Sequence, residues 1–348
     1  MSTLIIRFSP ISNVAMLVPL LESMIRLQPQ EKFVIVSRTF LQPLFVSLPN
    51  TTFVGTDPRN EHEGIAGTFR LFNTLKKLDI HKVIDLQNSP KSILLKMLLK
   101  ASNFSIEIHT IKHQWIKELL LFKNGYKRSK PLTSIFELYN QCFLKAGLLT
   151  DDKFTSLPGL NATIPEKITN LYGEKKGTWI GIAPFAQHYG KILPSKKIKE
   201  VIAYFDKQPN TKIFLFGAGE VEYEMLSDWE TLFNQTFAVY TSLNLQEELE
   251  LMHHLDAMVS MDSANMHLAS LVNLPVISVW GASHYCAGSL GWKQSVEHIV
   301  ENDLACRPCS ILGRKRNKRC PLKYKCLDIA PQKIIDKIEA VLQQSRKN

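Results

Sequence analysis

The run Met261-Asp262-Ser263-Ala264-Asn265-Met266-His267-Leu268-Ala269 concentrates a carboxylate, a hydroxyl and an imidazole within six positions. An apolar stretch, Asp256–Ser260, precedes it and reads as a strand; an apolar helical stretch runs from it through Val272. A short strand-to-helix turn of small and polar residues leaves backbone N–H groups and the positive helix end directed at one point, where a phosphate can sit. The competing reading is a plain helix capped by Asp262 or Ser263.

Two further turns have the same placement. Ala183-Pro184-Phe185-Ala186-Gln187-His188-Tyr189-Gly190-Lys191-Ile192-Leu193-Pro194 lies between a strand and a helix, and the Lys191 ammonium could neutralise a diphosphate there. Phe216-Gly217-Ala218-Gly219-Glu220-Val221-Glu222 pairs glycines, which permit close backbone approach, with Glu220 and Glu222 at a helix start, where a carboxylate accepts from ribose hydroxyls. The full G-x-G-x-x-G pattern is lacking.

The elements that must position these turns follow from the patterning. Short apolar runs alternate with segments of 3.6-residue period, the rhythm of βαβ units and parallel sheets. Strands are expected at Thr3–Phe8, Phe33–Ser37, Thr52–Val54, Lys82–Leu86 and Ser105–Ile108. Helices are expected at Val14–Arg26, Thr68–Lys77 and Pro90–Lys100. Gln114–Lys130 is basic, amphipathic and breaks the rhythm, and Leu157–Lys176 reads as an irregular connection. Strands resume at Trp179–Ala183, Lys212–Phe216, Phe237–Tyr240, Asp256–Ser260 and Val276–Trp280, with a last helix at Pro331–Gln344. The fold class expected is α/β, two doubly wound Rossmann-like domains (1–165 and 166–348) facing across a cleft, with ligand turns outside the carboxyl ends of the strands.

At 348 residues, 45% apolar and 21% charged, the chain has the composition of a globular protein with room for two cores. No apolar run approaches the ~20 residues of a membrane span. Arg7 interrupts the first apolar stretch and no basic segment precedes it, so no signal peptide is expected and the location expected is cytoplasmic. The net charge of +10 gathers at Lys123, Lys127, Arg128 and Lys130, and between Arg307 and Lys325. Such clusters suit a phosphorylated ligand or an anionic membrane. Nucleic acid is not expected, because no aromatic platform accompanies the charge.

Cys306-x-x-Cys309, Cys320 and Cys326 share one basic loop, 306–326. Reduced cysteines at this density allow a structural tetrahedral zinc, although the 10- and 5-residue gaps depart from a doubled C-x-x-C; packed thiols are the other reading. Flanking Arg and Lys would favour thiolates. Cys142 and Cys286 stand alone and are expected to be packing residues.

Several of these segments together resemble glycosyltransferase family 9, whose best-known members are heptosyltransferases of lipopolysaccharide assembly. They are Leu4-Ile5-Ile6-Arg7-Phe8-Ser9 with the Ala15–Leu21 helix, Lys191-x-x-Pro194, Gly217-Ala218-Gly219-Glu220, and Asp262 through Ala269. The family usually has Gly-Pro or Gly-Leu where this chain has Ala264-Asn265. The resemblance implies a GT-B fold and an inverting transfer from a nucleotide-diphospho-sugar, ADP-heptose-like, with no metal cofactor. It implies a lipid-linked saccharide acceptor, reached in peripheral contact with the inner face of the inner membrane. It places Lys191, Gly217, Glu220, Glu222, Asp262, Ser263, Ala264, Met266 and His267 around the donor. The family's proposed base is an aspartate in the turn after the first strand; here Ser9-Pro10-Ile11-Ser12-Asn13-Val14 puts Asn13 at that position, and an amide accepts no proton at neutral pH. Asp85, at a strand end, is the substitute by location; His188 and His109 are weaker ones. A protein that binds a nucleotide-sugar without transferring it is the rival reading.

Overall fold

The structure is a computed structural model that describes residues 1–112, 131–239, 242–309, 320 and 322–345. Of these, residues up to 112 and Thr133–Gly159 form one compact unit; Pro131, Leu132 and the chain from Leu160 form the other.

The N-terminal unit is built on a parallel sheet of β1 (Ser2–Ile6), β2 (Phe33–Arg38), β3 (Thr51–Thr56), β4 (Ile80–Asp85) and β5 (Glu107–Thr110), in the order β3-β2-β1-β4-β5. Leu4, Ile5, Ile6, Val34, Ile35 and Val36 are apolar without alternation because helices cover both faces of the sheet. The chain moves outward from β1 to β3, then returns to the other side for β4 and β5. The order therefore reverses between β1 and β4, where Ile6 stands opposite Asp85.

The second unit repeats the plan with β6 (Thr178–Ala183), β7 (Thr211–Leu215), β8 (Thr236–Ala238), β9 (Ala257–Met261), β10 (Val276–Trp280) and β11 (Ile299–Glu301). All strands are parallel, in the order β11-β10-β9-β6-β7-β8, and the reversal falls between β6 and β9, where Ala183 stands opposite Ser260. Ile334, Ile335, Ile338 and Val341 of the Pro331–Ser345 helix join the core of this unit with Ile182, Val259 and Val279.

Two expectations are corrected. The helix expected at Val14–Arg26 is two helices, Ile11–Ala15 and Val18–Leu27, because Pro19 has no N–H to continue the ladder and instead sits in the first turn of the second. The connection at Leu157–Lys176 holds a helix, Glu166–Tyr172, too short for a helical period to show. A further helix, Ile135–Lys145, capped by the Ser134 side chain, closes the N-terminal unit. The basic stretch Gln114–Lys130 and the basic residues from Arg314 to Arg319 lie outside the described residues. Among the described residues no helix is long and apolar enough to cross a membrane.

Candidate functional site

In a doubly wound sheet, ligands are received at the carboxyl ends of the strands where the order reverses. In the second unit those strands are β6 and β9, and the turns that follow them carry Lys191 and Asp262. The two side chains meet: Lys191 Nζ is 2.6 Å from Asp262 Oδ2, with both groups largely buried. The same carboxylate oxygen accepts from Ser283 Oγ at 2.6 Å. The Gly217 turn follows β7, the neighbour of β6 on its other side.

Asp262 is thus engaged sideways rather than capping the helix behind it. Ser263 is the N-cap of the Ala264–Leu271 helix, but its side chain makes no capping bond; its Oγ lies 3.2 Å from Ser260 Oγ. The first-turn N–H groups of Ala264, Asn265 and Met266 are therefore left without a side-chain cap. Free donors, a helix N-terminus and an ammonium at one strand switch point form a site for a polyanion. Met266 is buried. His267 is buried too, and its Nδ1 has no hydrogen-bond partner among the described residues. Burial pushes His267 down to about 4, and the ammonium of Lys191 adds to this while Asp262 opposes it, so the ring is a neutral imidazole.

The Lys191 turn is held from the far side of β9. Ala282 N–H donates to Gly190 O at 2.7 Å, and a Cβ at Gly281 would stand 2.4 Å from that carbonyl. Only glycine allows the Trp280–Ser283 segment to lie so close to the short turn Tyr189–Lys191. That segment is clamped in turn by the fully buried Arg307. Its guanidinium donates to the carbonyls of Gly281 (2.6 Å), Trp280 (3.0 Å), Ser283 (3.0 Å) and Asn302 (3.1 Å), and to Glu301 Oε2 (2.6 Å). Gly281, Ser283 and Arg307 were not legible as site residues in the sequence. The run of small residues directly after an apolar strand was the one signal that could have flagged the first two.

At the Gly217 turn, Glu222 folds back, its Oε2 accepting from Ala218 N–H at 2.8 Å. Burial raises this carboxyl and the N–H bond opposes the rise. Gly217 has no room for a side chain, since a Cβ would meet Leu226 Cδ1 at 2.8 Å. Gly219 has open space but φ of +85°, a conformation that favours glycine. Glu220 is exposed at the first position of the Glu220–Glu230 helix.

In the N-terminal unit the corresponding turns follow β1 and β4. Gln87 Oε1 ties them together, accepting from the N–H groups of Phe8 (3.1 Å) and Ser9 (3.2 Å). Asn13 is half-buried in the Ile11–Ala15 helix, and its carbonyl accepts from Tyr139 Oη at 3.0 Å. Asp85 does not have the geometry of an exposed base. It is fully buried, Oδ1 accepts from Gln87 N–H (2.9 Å) and Asn88 N–H (2.8 Å), and Oδ2 is 2.7 Å from Lys96 Nζ. This is a turn-fixing carboxylate, with Asn88 held at a φ of 47°. His109 lies on the edge strand β5, its Nε2 3.6 Å from Glu107, and His188 is the N-cap of the Tyr189–Lys191 turn.

None of the four loop cysteines is in a disulfide. Cys309 and Cys320 pack on a cluster of Ala282, Tyr324, Cys326 and Leu327. Among the described residues no three His, Cys, Asp or Glu side chains converge to hold a metal ion. The expected thiolate character is corrected at Cys326, where burial pushes the thiol up to about 11 although Arg307 opposes it.

Two parallel sheets with ligand turns at their switch points are the plan of GT-B glycosyltransferases, and solved structures share it over nearly the whole chain. The structure of E. coli ADP-heptose lps heptosyltransferase II superposes with a TM-score of 0.69 at 17% identity, covering 99% of this chain and 100% of that one. E. coli heptosyltransferase WaaC with ADP gives 0.70 at 16%, covering 98% and 100%. In sequence, lipopolysaccharide heptosyltransferase 1 of Campylobacter coli is 25% identical over 249 residues, 68% of this chain and 71% of that one. The sequence model of glycosyltransferase family 9 (heptosyltransferase) matches residues 68–319, more than half of the chain, and the chain belongs to that family. It is a glycosyltransferase.

Proposed function

We infer that the protein transfers a heptose-type sugar from a nucleoside diphospho-sugar, with inversion and without a divalent cation, to a lipid-linked saccharide of lipopolysaccharide type. The observation that carries this reading is Lys191 beside an uncapped helix start at the strand switch point of the second unit. A departing nucleoside diphosphate needs its growing charge stabilised, and an ammonium plus first-turn N–H groups supply that in a site shielded from water. Lys191 gives up its bond to Asp262 in favour of the diphosphate. Ser263, Ala264 and Met266 offer backbone donors, His267 lines the site as a neutral ring, and Glu220 or Glu222 meets the ribose beside Gly217. The WaaC structure solved with ADP makes adenine the first base to try.

In the transfer, the acceptor oxygen bonds to the anomeric carbon as the bond from that carbon to the diphosphate oxygen breaks. The acceptor's proton passes to water, because Asn13 cannot take it and Asp85 is already engaged by two N–H groups and Lys96. The rate then rests on positioning and leaving-group stabilisation. The loop cysteines play no part in this chemistry. Elemental analysis separates their two readings: about one zinc per chain for a tetrahedral site, none for packed thiols.

The test is thermal-shift titration with nucleosides, nucleoside diphosphates and their sugars, with and without chelator. A ligand of the native state raises the melting temperature by mass action. ADP and an ADP-linked sugar should raise it equally well in chelator, and Lys191→Ala should weaken diphosphate binding far more than adenosine binding. Equal loss for both would take Lys191 out of the diphosphate site. Tight donor binding with neither transfer nor donor hydrolysis would leave the binding-protein reading in place.

A further inference from the structure

Two helices of the N-terminal unit present to solvent the side chains that water-facing helices usually hide. Gly64–Leu75 links β3 to β4 and Pro90–Ser102 links β4 to β5. Both crossovers run in the same direction across the sheet, so right-handed connections lay the helices side by side on one face, where they contact each other. Their inner rows, including Leu71, Leu75, Leu95 and Leu99, pack on Leu4, Ile6, Val34 and Val83 of the sheet. Their outer rows are apolar as well. Ile65 is 70% exposed and Phe69 44%, Ile93 is 41% exposed and Met97 64%, and Phe104, just past the second helix, is 80% exposed. Each pair is spaced i,i+4 and so forms a stripe along its helix. A helix apolar on its outer face as well as its inner one is expected to be covered.

The charge on these helices has one sign. GIAGTFRLFNTL and PKSILLKMLLKAS contain Arg70, Lys91, Lys96 and Lys100 and no carboxylate. Lys96 is spent on Asp85 inside the fold. The other three are held by carbonyls rather than by acids: Arg70 donates to Glu61 O, Lys91 to His62 O, and Lys100 to Phe104 O and Ile106 O. A carbonyl orients a cation without neutralising it. The nearest carboxylates in sequence, Glu61, Glu63, Asp79, Asp85 and Glu107, lie outside both helices; Asp79 pairs with the N-terminal ammonium and Asp85 with Lys96.

We propose that this face docks on a bilayer containing anionic phospholipid, with Ile65, Phe69, Ile93, Met97 and Phe104 entering the headgroup boundary and Arg70, Lys91 and Lys100 at the phosphate level. Apolar stripes on helices whose own charges are all cationic suit such an interface, where burial and attraction to anionic lipid add. A second copy of the chain on this face would set cation against cation. The proposal deepens the reading of a lipid-linked acceptor and rests on it: docking by the acceptor-side unit holds the enzyme where such an acceptor lies.

The test is co-sedimentation of the full chain with vesicles of phosphatidylcholine alone and of phosphatidylcholine with phosphatidylglycerol. The wild type should bind the anionic vesicles, bind them less as salt rises, and bind phosphatidylcholine weakly. Phe69→Ser with Met97→Ser should lower the partition coefficient about tenfold or more, from the apolar area withdrawn. Arg70→Gln with Lys100→Gln should remove most of the preference for phosphatidylglycerol. Phe69, Met97 and Arg70 are exposed and Lys100 is half-buried, and both variants should keep the rise in melting temperature with ADP. No preference for anionic vesicles in the wild type, variants that sediment like it, or a dimer that the Phe69 and Met97 changes dissolve would each overturn the proposal. Absence of an ADP shift alongside the expected vesicle behaviour would sink the donor-site reading and leave the lipid surface standing.

Discussion

Asn13 is the residue on which the chemistry turns. Its neighbourhood is rigid: the carbonyl is held by Tyr139, whose hydroxyl burial pushes up to about 12, and the guanidinium of Arg7 lies 5.8 Å from that ring. Placing a carboxylate there should not disturb the helix, since aspartate has nearly the same shape and the side chain of Asn13 makes no hydrogen bond among the described residues. General-base assistance is worth roughly 10²–10⁴-fold in rate. Asn13→Asp is therefore expected to raise kcat by about 10-fold or more with an ADP-linked heptose and a lipopolysaccharide-type acceptor, leaving donor affinity unchanged. Steady-state kinetics on both proteins decides it, and equal kcat would show that no proton needs to be taken at position 13.

At the scale of elements, the donor site is a set of turns whose positions depend on a strand end outside it. The Trp280–Ser283 segment after β10 touches Gly190 on one side, Asp262 on the other, and Arg307 beneath. Lysine cannot replace a planar fork that serves four carbonyls and a carboxylate. Arg307→Lys should cost roughly 3–5 kcal/mol of stability, the scale of a broken buried ion pair, and should weaken nucleoside diphosphate binding in the fraction that remains folded. Urea titration and calorimetry read the two effects; full affinity in a destabilised variant would confine Arg307 to folding. The elements that set this arrangement were largely visible in the sequence. Unbroken apolar strands between helical segments announced parallel sheets, and Lys191 and Asp262 stood in turns after two such strands. Their contact was not visible, because β6 and β9 are neighbours only through a strand order that local pattern does not encode. Arg307 read as one more cation in a basic loop, since nothing in its neighbours signals that five acceptors converge on it. Asp85 misled for the opposite reason: its strand-end position was right, and only the fold shows Lys96 reaching it from the next helix.

Across the whole molecule, titrating groups pull stability in both directions as pH changes. His267 is held down to about 4 by burial, and burial also lowers His62, His254 and His298. Each takes up its proton more readily in the unfolded chain, whose histidines titrate near 6.5. Stability is therefore fully present above that value and is lost as pH falls toward the folded value, by at most about 3 kcal/mol for His267. Glu248 acts oppositely. Burial raises it to about 7, so the folded chain keeps a proton that the unfolded chain releases, and its contribution is lost as pH rises from the ordinary carboxylate range toward 7. Glu222, which burial also raises, acts in the same sense; with four lowered histidines against these two glutamates, the wild type should gain stability from pH 4.5 to 6.5. His267→Asn should flatten that rise and Glu248→Gln should steepen it. Urea midpoints at pH 4.5, 5.5 and 6.5 for the three proteins give the slopes directly, since the number of protons bound on unfolding sets the slope. Three parallel lines would mean that neither group titrates differently in the folded chain, and the neutral imidazole at the donor site would fall with that result.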